Sequence, residues 1–278
     1  MPRFWGMNLI IDGSWYASKG GAGKLSPAFS KVPTAPGAPP PIPGKPDWVN
    51  YVDNVVRPAS FNGPVDIYEY DTQEVIRAIA GNAVGSIIVG AINASDRECR
   101  VIPRDYIDSI TGNPAVAKPM DWSGAMGKTG VLCKVMRGGC GPIGTDSIIE
   151  FQPYSLRFAG GNAAPDNVLL HEFVHALREM RGKWLTGPAP AGFPNIEELL
   201  AVMVENMYLS SMGRNSAIRL NYNNIPEAGS PAELEARFVS RFPVEIGWFV
   251  SQLTGVSKQL GSLSVPFNPL RSAAKPAK

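Results

Sequence analysis

The residue types most able to do chemistry sit together in His171-Glu172-Phe173-Val174-His175, and these are the only two histidines in the chain. Two histidines four apart on an α-helix share one face, with Cβ atoms about 5–6 Å apart. Both imidazoles can then reach one Zn²⁺. Glu172 lies about 100° round the helix from His171. It therefore points past the metal, where a carboxylate can take a proton from a zinc-activated water.

A catalytic zinc needs a third protein ligand and an open position for water. No third histidine exists, which excludes a three-histidine site, and the candidates are carboxylates downstream. The run Asn195-Ile196-Glu197-Glu198-Leu199-Leu200-Ala201, followed by Glu205, supplies the candidates. Glu198 is the first choice, with Glu197 and Glu205 as alternatives. Asn195 with Glu198 three residues on is also a capping-box arrangement, which gives Glu198 a purely structural role to set against the metal role.

The elements that must position these groups are readable as helices. In DNVLLHEFVHALREMR, Leu170, Phe173, Val174 and Leu177 follow the i, i+3, i+4, i+7 spacing. Pro165-Asp166 marks a start and Gly182 a stop. A second apolar helix is expected from about Asn195 to Met212, reached through the Gly- and Pro-rich loop GKWLTGPAPAGFP.

The segments HEFVHALR and NIEELLAVMVENMYLSSMGR together resemble the gluzincin metallopeptidases found among secreted bacterial effectors. The nearest likeness is to NleD-type effector proteases and to the metallopeptidase domains at the C-termini of some VgrG spike proteins. Clostridial neurotoxin light chains are more distantly similar. In gluzincins the metal-binding glutamate commonly precedes a small residue by three positions, as Glu198 precedes Ala201, so the resemblance favours Glu198 over Glu197. CGPIGTDSIIEFQP also looks like the segment before the pentad in such effectors. The resemblance covers roughly residues 72–271. It implies a zinc-dependent peptide hydrolase, holding one Zn²⁺ per chain and delivered to another cell. A peptide or protein is then the substrate, and a secretion apparatus or an immunity protein is a further partner. Gluzincins often place a Tyr, His or Arg to stabilise the oxyanion. Tyr222, with Arg219 as the alternative, is the candidate here, against the plainer reading of RLNYNNIP as a surface loop.

The rest of the chain sets boundaries. Net charge is +2, and no Lys/Arg run forms a patch, so nucleic acid is not indicated. The longest apolar stretch, Ala83 to Ala94, is too short and glycine-broken for a membrane span. MPRFWGMNLIIDGSW lacks the apolar core and cleavage site of a secretory signal. The expectation is synthesis in the bacterial cytoplasm and export by a specialised secretion system. SKGGAGKLS is not a P-loop, because Ser18 stands where Gly is required and Leu25 where Ser or Thr is required. Of three cysteines, Cys133 and Cys140 flank KVMRGG and invite either a disulfide or free thiols.

The fold expected is α+β and mostly helical. It comprises an N-terminal arm with a proline-rich linker (1–47), a zincin-like domain (48–271) and a disordered tail (272–278). Asp71-Thr72-Gln73-Glu74 reads as a capping box opening a helix that Gly81 and Gly85 bend. Residues 98–103, 131–136 and 147–151 read as strands, the last two as a hairpin across the turn 138–144 that offers an edge for a peptide substrate. Residues 111–130 read as loop. Ser230-Pro231-Ala232-Glu233 opens helices at about 231–241 and 243–260. Two other functions fit the same residues. One is a zinc amidase acting on a cell-wall peptide; the other is a non-catalytic interaction protein stabilised by its metal.

Overall fold

A computed structural model of the 278-residue chain describes residues 3–4, 8–13, 64–104, 115–126, 144–153, 164–188, 190–223 and 225–271. The expected arm over 14–47, the strand 131–136, most of the turn 138–144, Cys133, Cys140 and the tail all lie outside the described residues.

The architecture is α+β and mostly helical. Its strands are β1 (Arg3–Phe4), β2 (Leu9–Ile11), β3 (Cys99–Pro103), β4 (Ala115–Pro119) and β5 (Ser147–Phe151). Its helices are α1 (Pro64–Ala80), α2 (Ala83–Asn93), α3 (Trp122–Ala125), α4 (Pro165–Met180), α5 (Ile196–Ser211), α6 (Pro231–Arg241), α7 (Pro243–Gln252) and α8 (Thr254–Gly261). The strands form one mixed sheet in the order β1-β2-β3-β5-β4. β2, β3 and β5 run parallel, while β1 and β4 are antiparallel edges. Leu9–Ile11 thus pair with β3 in the same sheet as β5, from N-terminal to the boundary drawn at residue 48.

β5 shows why strands form here: Ser147, Ile149 and Phe151 are buried while Ile148 and Glu150 are half-exposed, the alternation of a strand with one covered face. The covering layer is α1 and α4, with α2 packed on both. Tyr68, Val75, Ile76 and Ile79 of α1 and Val84, Ile88 and Ile92 of α2 are fully or nearly fully buried. α4, which carries the pentad, packs on α1, α2, α5, β4 and β5 and is buried along almost its whole length. A helix enclosed on all sides holds its side chains to fixed positions, as a metal site requires. Gly182, at φ 62°, adopts the left-handed conformation that ends α4 where the sequence indicated.

Four expectations need correction. The tetrad Asp71 to Glu74 does not open a helix, because α1 begins at Pro64 and Asp71 and Thr72 are buried within it. The same i, i+3 pattern of residue types fits a helix interior as well as a cap. The bend between α1 and α2 is a 115° break over Gly81-Asn82, not a curve. Asn82 starts α2 by accepting hydrogen bonds from the Val84 and Gly85 amides. Residues 111–130 are not all loop, since β4 and α3 lie within them. β4 is an edge strand held by pairing with distant β5, a signal no local pattern carries. Finally, the expected single helix over 243–260 breaks at Leu253 into α7 and α8. No single described helix is long and apolar enough to cross a membrane.

Candidate metal centre

α4 and α5 lie side by side and bring His171, His175 and Glu198 together. The three ligand atoms that converge are His171 Nε2, His175 Nε2 and Glu198 Oε2. They stand 3.1 Å (His171–His175), 2.9 Å (His171–Glu198) and 3.5 Å (His175–Glu198) apart. Around a tetrahedral zinc with bonds of about 2.0–2.1 Å, neighbouring ligand atoms are about 3.3 Å apart. The triangle therefore has the size of a metal's ligand face. Two ring nitrogens facing each other at this distance repel unless a cation, proton or metal, lies between them. On both grounds this buried group could hold a metal ion.

Neighbours set His171 and Glu198. Glu205 Oε2 lies 3.1 Å from His171 Nδ1, and Asn167 and Arg219 both donate to the Glu205 carboxylate, at 2.9 and 2.7 Å. With the Nδ1 proton held by Glu205, the proton lost on metal binding leaves the His171 lone pair on Nε2, which faces Glu198 and His175. Asn195 caps α5 through the Glu198 amide at 2.9 Å. The Glu198 side chain does not complete a capping box and turns instead to the histidines. Glu197 is spent elsewhere. Its carboxylate, wholly buried, accepts from Arg178 at 2.6 and 2.9 Å and from the Leu185 amide at 2.8 Å. It ties α5 to α4 and to the intervening loop and cannot turn to the metal position.

Glu172 is buried beside the ligands without joining them. Its Oε2 accepts a hydrogen bond from the Ala117 amide of β4 at 2.7 Å. The carboxylate is thereby aimed at the edge strand, one side of the space in front of the ligand triangle. Tyr222 closes another side. It is half-buried, close enough to Glu198 and Glu172 for their charges to act on its hydroxyl, and its backbone amide donates to Gly192 O at 2.8 Å. Arg219, also considered from sequence, is turned away into its ion pair with Glu205 and lies 5.7 Å from the Tyr222 ring.

The electrostatics favour a cation. Burial alone would raise the Glu198 carboxyl, but hydrogen bonds from His171 and His175 outweigh it and hold it well below the usual carboxylate range. Burial likewise opposes the Glu205 charge, yet Arg219 and His171 hold it down at about 2. Burial lowers His171, but the hydrogen bonds to Glu198 and Glu205 win and keep the metal-free imidazole protonated up to about 10. The Tyr222 hydroxyl is pushed up, first by burial and then by the Glu198 and Glu172 charges, so it stays a proton donor.

Sequence reasoning missed β4, the support that Glu205 gives His171, and two tryptophans beside the site. Trp184 lies 5.6 Å, ring to ring, from His175. Trp122 meets Trp184 edge-on at 5.4 Å. Only the first had a signal, since Trp184 stands in the loop joining the two ligand helices. No protein-family model, curated protein or solved structure matches the chain.

Proposed function

We propose that this protein is a zinc-dependent metallopeptidase of the zincin-like, gluzincin type. The observation that carries the reading is the separation of two roles on one helix turn. His171 and His175 converge with Glu198 on a single point, while Glu172, between them in sequence, is held off that point by Ala117. A structural metal has no use for an unligated buried carboxylate beside it; a hydrolase does.

In this reading His171 Nε2, His175 Nε2 and Glu198 Oε2 hold one Zn²⁺. The ion, when bound, supplies Lewis acidity that makes water nucleophilic near neutral pH. Glu172 takes the proton released as water adds to the peptide carbonyl and passes it to the departing amine nitrogen. Peptide and water thereby become a carboxylate and an amine. The Tyr222 hydroxyl, kept protonated, donates to the oxyanion as it forms. Glu205 keeps the His171 ring oriented throughout. A mixed sheet whose antiparallel edge strand runs beside the pentad helix also supports the zincin-like reading. β4, an edge strand of the described sheet packed on the pentad helix, is an edge along which an extended peptide can lie. The likeness of the two motif segments to effector peptidases supports a toxin delivered to another cell, with a protein substrate there.

The test is peptide hydrolysis by the full chain before and after chelation. A mixed synthetic peptide library should be cleaved by the zinc-loaded protein, left intact after phenanthroline treatment, and cleaved again on return of Zn²⁺. Cleavage unaffected by chelation would overturn the assignment.

A further inference from the structure

Large apolar side chains exposed on a rigid surface cost solvation, and two of the most exposed in the described residues adjoin the candidate site. Met120 is 64% exposed and Trp122 is 53% exposed. They follow directly on β4, the strand whose Ala117 amide holds Glu172. Trp122 leans edge-on against Trp184, and Trp184 lies against the His175 ring, so an aromatic ladder runs from the metal position to solvent.

The ladder is pinned from several directions. The Trp184 amide donates to Ala125 O at 2.9 Å, joining α3 to the loop after α4. The flanking Leu185 amide donates to the buried Glu197 carboxylate, and the Lys183 amide to Arg178 O. On the other side, the Met120 amide donates to Asp146 O at 2.9 Å and the Asp121 amide to Thr145 Oγ1 at 3.0 Å. These contacts preorganise an apolar surface that would otherwise collapse on itself. Preorganised aromatic surface binds with little entropic loss.

From this arrangement we propose that Trp122 and Trp184, with Met120, form the specificity subsite. They take a large apolar or aromatic side chain of a peptide laid along β4. The inference rests on the peptidase reading given above and adds the substrate class. Distance supports it. Strand residues rise about 3.3 Å each, and Met120 stands three residues beyond Ala117, so a peptide level with Ala117 at its scissile bond reaches the apolar surface within about three residues. The solvent-facing end of the ladder, Trp122, Trp184 and Met120, offers apolar and aromatic surface, so the occupant it fits is apolar.

The experiment uses one synthetic peptide library and two readouts. In the first, the zinc-loaded wild-type chain digests the library and the products are sequenced by mass spectrometry. Phe, Tyr, Trp, Leu or Met should be enriched at one position within about three residues of the cut. Trp122→Ala should lose that preference, with kcat/KM falling about tenfold more on a peptide carrying Phe there than on its Ala counterpart. Trp122→Phe should restore it, which a merely structural role would not predict. An unchanged preference in Trp122→Ala, or an equal loss on both peptides, overturns the subsite. In the second, Glu172→Gln protein is equilibrated with the library and the retained peptides are identified. Retention of aromatic-bearing peptides, lost in the Glu172→Gln/Trp122→Ala double variant, supports the subsite whether or not the wild type cleaves. Retention without aromatic preference overturns it. Absence of cleavage with selective retention would sink the peptidase reading alone.

Discussion

At the scale of single residues, adjacent glutamates have opposite duties. Glu198 faces the histidines, and Glu197 faces Arg178, both members of the latter pair being wholly buried. Glu198→Ala should therefore empty the metal site and leave the fold, read as zinc per chain beside thermal melting. Glu197→Ala should retain zinc-binding geometry and destabilise the protein. Removing one partner of a buried ion pair typically costs about 3–5 kcal/mol, because the other charge is left uncompensated. The reverse pattern would reassign the ligand. The metal site also competes with a proton. In the metal-free protein His171 titrates near 10 against an ordinary 6.5. Its folded-state pKa is raised, so its stabilising effect is fully present below about 6.5 and is lost as pH rises through about 10. Zinc must displace that proton, so zinc affinity should climb between about pH 7 and pH 9, by up to about tenfold per unit. Competition titrations with a chelator across that range check this, and a flat affinity contradicts it.

At the scale of elements, the helices that bring His171, His175 and Glu198 together were legible in sequence and the strand whose amide holds Glu172 was not. α4 and α5 were expected at about 166–181 and 195–212 and lie at Pro165–Met180 and Ile196–Ser211. Their apolar spacing, Asn195 cap and Gly182 stop are all local signals. α6 matches its expectation, because Ser230, Pro231 and Glu233 specify a start within four residues. β4 reads Ala-Val-Ala-Lys-Pro, with one β-branched residue, and exists through its pairing with β5 some thirty positions on. In the site, pentad spacing singled out His171, Glu172 and His175, and the three-residue step from Glu198 to Ala201 favoured Glu198; the Arg178 contact that occupies Glu197 is long-range, which no sequence spacing encodes. β4 also yields a prediction. The Ala117 amide faces Glu172 rather than β5, so Ala117→Pro removes the contact to the base without removing a ladder hydrogen bond. Zinc content should hold while hydrolysis falls, by about 10²-fold if the carboxylate shifts by an ångström. Undiminished hydrolysis would mean that β4 does not aim Glu172.

At the scale of the whole molecule, the site is built on a core that does not need the metal. Buried residues of α1, α2, α4, α5 and the sheet form one continuous apolar cluster, and protein contacts hold His171 through Glu205, the Glu198 backbone through Asn195 and Glu172 through Ala117. Chelation should therefore leave a folded protein with a cooperative, lower melting transition, and free zinc at about 100 times Kd should return about 2.7 kcal/mol. Complete unfolding on chelation, as in small zinc-dependent domains, would instead favour a metal kept for stability.

The central claim, that Glu172 is a base and not a structural carboxylate, is tested most directly by Glu172→Gln. Glutamine keeps the size and can still accept from the Ala117 amide, but it cannot take a proton. A general base contributes about 10²–10⁴ in rate. Zinc content, melting temperature and peptide cleavage should be measured on the same preparations of wild type and variant. Full zinc and an unchanged fold are expected, with cleavage reduced by at least about 10²-fold. A zinc-loaded Glu172→Gln protein that cleaves at the wild-type rate would contradict it.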